Sequence, residues 1–201
     1  IMMTSRINLD NKDAVVLHSY NYRDSSLIVN FFVSDYGKVS AIARGVKKSK
    51  NNATALLQPF QNITVYLTGK NDLLTLKSVE SQGQNRRFTG KSLYIAYYLN
   101  ELLLRLLPSH TECQAIFELY HQVLGLIVHN EDNNKHHFEA PLRLFELKLL
   151  EFLGYGLNLT NEIHTGAAID SDKMYYYLIQ SGPSESVPEN EFISISGRTL
   201  I

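Results

Sequence analysis

The sequence predicts an α+β chain: a five-stranded barrel followed by an α-helical bundle with a small, irregular β tail. Three observations carry that prediction. Five short segments that alternate apolar and polar residues lie between Ala14 and Val79, separated by turn residues. After Arg86-Arg87 the apolar period lengthens from that of a strand to that of a helix. The charge divides at the same place: residues 1–90 hold 12 Lys and Arg against 6 Asp and Glu (+6), and residues 91–201 hold 7 against 14 (−7). The overall net charge of −1 conceals this asymmetry. A basic half joined to an acidic half points to a polyanion as the partner of the first half. The expected domains are residues 1–82 and 83–201.

In order along the chain, residues 1–13 are polar and read as frayed. Ala14 to His18 is the first strand, and Leu27, Val29, Phe31 and Val33 alternate in the second. Asp35-Tyr36-Gly37-Lys38 is a tight turn, with Gly37 free to take positive φ. Lys38 to Arg44 is the third strand. It runs into Gly45-Val46-Lys47-Lys48-Ser49-Lys50, a basic loop suited to following a phosphate backbone. Ala53 to Leu57 is a short helical turn closed by Gln58-Pro59. Ile63 to Thr68 is the fourth strand, and the turn Gly69 to Asp72 leads to the fifth, Leu73 to Val79. Five short strands at this spacing suggest a small barrel, of which the OB-fold is the five-stranded version. Such barrels commonly hold single strands in a basic groove with aromatic platforms. Tyr20, Tyr22, Phe32, Tyr36 and Tyr66 are available for that, and the pattern singles out none of them.

Three helices follow, at about residues 91–107, 112–128 and 140–154. The first is apolar nearly all round, interrupted by Asn100, Glu101 and Arg105, which predicts a central, buried helix. The second carries a stripe of Ile116, Leu119, Tyr120, Val123, Leu124 and Ile127. Residues 129–137 are polar and read as a mobile link. Pro141 suits the first turn of the third helix, and Gly154 and Gly156 stop it. In the tail, residues 174–196, two strands are expected at Tyr175–Ile179 and Phe192–Ile195, around a turn at Gly182-Pro183-Ser184. The apolar ending Leu200-Ile201 reads as a domain cut short.

Catalytic patterns are scarce. There is no phosphate-binding P-loop and no dinucleotide-binding glycine pattern. His136-His137 are adjacent in a polar stretch and read as surface residues. Asp170 and Asp172 read as a turn, and Cys113, the single cysteine, as a packed thiol. One cysteine forms no internal disulfide and no cysteine-built zinc site. Neither an export leader nor a bilayer-length apolar run is visible, which favours the cytoplasm. The expectation is a non-enzyme with no catalytic residue, metal or cofactor.

Several stretches resemble a known family in the right order. Leu17-His18, Tyr22-Arg23-Asp24-Ser25-Ser26-Leu27, Gly37-Lys38-Val39, Ala43-Arg44-Gly45 and Leu57-Gln58-Pro59-Phe60 resemble the N-terminal domain of the bacterial recombination mediator and DNA-repair family RecO. Tyr98-Leu99-Asn100-Glu101-Leu102-Leu103 resembles its central helix, and Leu142-Arg143-Leu144-Phe145-Glu146 with Leu153-Gly154-Tyr155-Gly156 a later helix and its stop. The resemblance implies an OB-fold followed by a helical domain. It implies a protein that binds ssDNA and dsDNA and anneals complementary strands. It also implies cooperation with RecR, and in some bacteria RecF, to load RecA onto strands coated with single-strand-binding protein (SSB), in the cytoplasm at the nucleoid. Some family members carry a four-cysteine zinc site, which this chain lacks the residues to build, and members usually continue past the region of Ile201.

By position, the resemblance places Arg23, Lys38 and Arg44 on family motifs in the barrel, beside the basic loop of Lys47, Lys48 and Lys50. All six are expected phosphate contacts, with Lys38 and Arg44 on the more rigid strand setting where the backbone lies. Arg143 matches a position that helps hold the acidic C-terminal tail of SSB, and Leu147, one turn on, is a candidate lining residue. Two other readings compete. One is an OB-containing protein-interaction module with an incidental basic face. The other is a hydrolase or transferase with an unrecognised site.

Overall fold

In a computed structural model of the chain, residues 6–48, 53–70, 72–83, 86–132, 138–189 and 191–201 are described. They belong to two compact units, Ile1–Phe145 and Glu146–Ile201.

The first unit is built on a closed barrel of five strands. They are β1 (Ile7–Tyr22), β2 (Ser26–Val33), β3 (Gly37–Ala43), β4 (Asn62–Gly69) and β5 (Leu73–Ser81). Their order around the barrel is β1-β2-β3-β5-β4, with β4 returning to β1. All neighbours are antiparallel except β3 and β5, which pair in parallel. This is OB-fold topology, and the α+β class expected from the sequence is the observed one. Alternate residues of β2 and β3 (Val29, Phe31, Val39, Ala41) fill the barrel interior.

The first strand departs from expectation. Residues 7–13 are not frayed; they pair with β4 from Ile7↔Gly69 to Asp13↔Thr64. Two bulges hide this strand from a simple alternation count. One lies between Leu9 and Lys12, where Asn11 takes φ +54°, and one between Val16 and His18. The first puts both Leu9 and Ala14 in the barrel core despite their opposite parity. The second reverses which side chains of β1 face outward from His18 on.

A short α1 (Ala53–Leu56) precedes β4, and α2 (Gly90–Leu106) and α3 (Gln114–Asp132) follow the barrel. The backbone of α3 runs past the expected end at residue 128; His136 and His137 fall outside the described residues. The stripe predicted on α3 is largely buried: Ile116, Tyr120, Val123, Leu124 and Ile127 are inaccessible or nearly so. Phe32, on the outer face of β2, meets Phe117 and Tyr120 edge-on, at ring-centroid distances of 5.2 and 6.2 Å. A buried polar tie joins the same surfaces. Asn100 Nδ2 donates to the Leu17 carbonyl at 2.8 Å, and Tyr120 OH donates to Asn100 Oδ1 at 2.6 Å.

The expectation that α2 is buried all round is corrected. Only Ser92, Ala96, Leu99, Asn100 and Leu103 are buried. Tyr94 is 78% exposed, and Tyr97, Tyr98 and Leu106 are also exposed. A helix packed on a barrel and one other helix buries the stripe that faces them, and apolar composition elsewhere on its surface does not bury the rest. Asn100, which interrupts the apolar pattern, is the most deliberate contact on the buried side.

The helix α4 (Glu139–Phe152) begins in the first unit and ends in the second. Gly154 stops it as expected, at φ +84°. Gly154 N–H bonds the Glu151 carbonyl at 3.1 Å and Tyr155 N–H the Leu150 carbonyl at 2.8 Å, the paired bonds of a Schellman stop.

The second unit has a three-stranded sheet of order β7-β6-β8, from β6 (Met174–Leu178), β7 (Gly182–Ser184) and β8 (Ile193–Ser196), then a terminal turn, α5 (Gly197–Leu200). Gly182-Pro183-Ser184 is therefore a strand and not the expected turn. It pairs with β6 through Leu178↔Gly182 to Tyr176↔Ser184, and as an edge strand it tolerates a proline without an amide hydrogen. Ile169, Tyr175, Tyr177 and Leu200 form this unit's small core. Glu162 organises its loops: the carboxylate accepts from the amides of His164, Thr165 and Glu185 and from Thr165 Oγ1. These donors hold its pKa down to about 2, the Thr165 amide contributing most. No helix among the described residues is long and apolar enough to cross a membrane.

Candidate nucleic-acid interface

The basic residues of the barrel converge through two turns. Arg23 sits in the tight β1–β2 turn with φ +52°, its guanidinium carbon 5.2 Å from the centroid of the Tyr22 ring. Arg44 directly follows β3, and Gly45 (φ +68°) redirects the chain into a 3₁₀ turn at Val46–Lys48. The Lys47 amide donates to the Ser25 carbonyl at 3.2 Å, so the basic turn is fastened to the turn that carries Arg23. Thr54 Oγ1 donates to the Val46 carbonyl at 3.1 Å and ties it to α1 as well.

Two adjoining clefts result. The larger, about 520 Å³, is lined by Arg23 and Arg44 with Tyr22, Ser25, Ile42, Thr75 and neighbouring residues. The smaller, about 280 Å³, is lined by Arg44, Val46, Leu56 and Lys77 among others. Arg44 borders both, so Arg23, Arg44 and Lys77 form one cationic line. None of the residues lining either cleft is acidic. Arg23, Arg44, Lys47 and Lys77 are all exposed. No carboxylate in the lining competes with a bound anion for these cations.

Lys77 is absent from the sequence-derived set. It is the extra residue of a β-bulge, because Tyr66 pairs with Ser78 while the next residue, Leu67, pairs with Leu76. Simple alternation along the fifth strand does not show that placement, and the charge surplus of the first 90 residues is the only hint of it.

The other expected contacts are placed differently. Lys38 is at the opposite end of β3 from Arg44 and lines neither cleft. Its ammonium donates to the Leu104 carbonyl of α2 at 2.6 Å, and burial lowers its pKa. Lys48 lies in the 3₁₀ turn, and Lys50 falls outside the described residues. Arg143 and Leu147 are both exposed, one turn apart along α4.

Among the described residues, Cys113 and Asp170 have packing and turn roles. Cys113 is buried, and burial with the neighbouring Glu112 raises its pKa to about 11, so its thiol stays protonated. Asp170 Oδ1 accepts the Asp172 amide at 3.0 Å, which closes a turn. Among the described residues, no group of three or more His, Cys, Asp or Glu is placed to hold a metal ion.

Fold and cleft together define an OB-barrel protein with a cationic, carboxylate-free groove. Two family models cover nearly the whole chain: "Recombination protein O N terminal" matches residues 7–84 and "Recombination protein O C terminal" residues 87–201. A DNA repair protein RecO from Nitrosococcus oceani is 40% identical over 188 residues, which is 93% of this chain and 74% of that protein. Another, from Methylococcus capsulatus, is 37% identical over 197 residues, 98% of this chain and 78% of that protein. The chain belongs to the RecO family, and its role lies in DNA repair.

Proposed function

We infer that this protein is a recombination mediator that binds ssDNA and dsDNA through the cationic line of the barrel and anneals complementary strands. One observation carries the reading: Arg23, Arg44 and Lys77 converge on adjoining clefts with no acidic residue in the lining. Lysines and arginines on turns grip phosphates without reading bases. An annealing protein needs that property, because it holds any sequence while leaving base edges free to pair. Lys47 adds an exposed cation in the turn after Arg44, and Lys48 and Lys50 follow it in sequence. Lys38 has a second role in this account, fastening β3 to α2.

Titration with labelled oligonucleotides across a salt series tests the reading. Lys47→Glu/Lys48→Glu is expected to weaken binding and to flatten the slope of log affinity against log salt by about 1.4 for single strands, two contacts at roughly 0.7 each. Unchanged affinity at low salt removes the turn from the interface. No binding by the wild-type chain favours the protein-interaction module instead.

The acidic SSB tail is the second ligand in this reading, with Arg143 as its carboxylate receptor and Leu147 beside it on α4. Arg143→Ala is expected to weaken binding of an SSB tail peptide by about tenfold, as for loss of one charge-assisted hydrogen bond, and to leave DNA affinity unchanged. Equal peptide binding by mutant and wild type removes that site. Together with RecR, and with RecF where present, these two activities deliver RecA to SSB-coated strands at the nucleoid.

A further inference from the structure

The bulge between Val16 and His18 changes which side chains of β1 face outward. Val16 points into the barrel and pairs with Phe31, which also points inward. Without a bulge, strict alternation would send His18, Tyr20 and Tyr22 inward as well. The extra residue, Leu17, shifts the register, so that His18 pairs with Asn30, Tyr20 with Ile28 and Tyr22 with Ser26, on the outer face. The three rings therefore form a row along the outside of the strand. His18 and Tyr20 are roughly parallel, with centroids 6.0 Å apart and planes 30° apart. Tyr20 is 47% exposed.

The Tyr20 row continues across the barrel as Ile28, Ile42 and Thr75, and the His18 row as Asn30, Ser40 and Leu73. The row also leads into the cationic line. Tyr22 lines the larger cleft together with Arg23 and Arg44. The 6.0 Å between the His18 and Tyr20 rings exceeds the rise of about 3.4 Å per base of a duplex strand, so bases held on successive rings are spread apart. That spacing suits a stretched, unpaired strand and not a stacked double helix.

We propose that His18, Tyr20 and Tyr22 form a stacking platform for unpaired bases, which gives this barrel a preference for single-stranded over duplex DNA. The proposal rests on the DNA-binding reading above and adds to it the groups that recognise the single strand. Phosphates would follow Arg23, Arg44 and Lys77 while bases lie on the tyrosines. Duplex bases are already stacked and paired, so a duplex meets only the cations.

The chain contains no tryptophan, so Tyr20→Trp places a single indole reporter on the platform. Oligothymidine is the single-strand probe and a blunt duplex of mixed sequence is the control, with binding followed independently by the anisotropy of a label on the DNA. The indole is expected to be quenched by the single strand and not by the duplex. Tyr20→Ala is expected to lose tenfold or more in single-strand affinity, with duplex affinity and the salt slope unchanged; retained duplex binding shows that this variant is folded. Binding without quenching overturns the platform and leaves the cationic groove standing. So does an equal loss, or no loss, on both DNA forms in Tyr20→Ala. If the wild-type chain binds neither DNA at low salt, the groove and the platform fall together.

Discussion

His121 shows how one residue's surroundings fix its chemistry. The Arg86 guanidinium donates to its Nδ1 at 3.1 Å and to its carbonyl at 3.3 Å, so Nδ1 must present a lone pair and the ring is neutral. Burial first, and Arg86 second, push the His121 pKa down to about 4, with Asp13 opposing weakly. A histidine titrating lower in the folded state than in the unfolded state binds fewer protons when folded. Its stabilisation is therefore fully present above about pH 6.5 and is lost as pH falls toward 4, at most on the order of 3 kcal/mol. His121→Gln is expected to flatten the stability curve in that window, measured by denaturant unfolding at several pH values. Glu162 acts in a separate window: its depressed pKa adds stability above about 4.5 that is lost as pH falls toward 2. A curve for His121→Gln that keeps the full slope between pH 6.5 and 4 contradicts the assignment.

Between elements, the Asn100 tie holds barrel and helix in register. Asn100 is 2% exposed and serves two partners, the Leu17 carbonyl and the Tyr120 hydroxyl. Leu17 is also the bulge residue, so the helix clamps the point at which β1 changes face. Asn100→Leu leaves both partners buried and unpaired, and is expected to cost about 2–4 kcal/mol in denaturant unfolding. A loss below about 0.5 kcal/mol, the usual size for a surface substitution, would contradict the tie. This is also the scale at which sequence and structure part company. Strands two to five and the three main helices follow their hydrophobic periods and are visible from sequence alone. Bulges are not, because an inserted residue leaves the composition unchanged while reversing the alternation. That is why residues 7–13, the outward rings of His18 and Tyr20, and the placement of Lys77 are visible only in three dimensions. Tyr94, Tyr97 and Tyr98 mislead in the opposite direction, since aromatic residues look buried in a sequence although these three are exposed.

Across the whole molecule, the basic half of the sequence corresponds to a barrel whose arginines converge, and the acidic half to helices and a small sheet. Arg23 and Arg44 stand 21 positions apart in the sequence. Family motifs single out each of them, while barrel closure brings them to one cleft. Lys38, chosen on the same grounds, is turned to a helix carbonyl instead, because it sits at the other end of the strand. The proposed DNA role places both strands at the Arg23–Arg44 cleft. Annealing of two complementary labelled oligonucleotides tests it most directly, comparing wild type with Arg23→Glu/Arg44→Glu and confirming by circular dichroism that the variant is folded. Rapid annealing is expected of the wild-type chain, with a loss of tenfold or more in the variant's rate at moderate salt; equal rates for the two proteins would rule the cleft out.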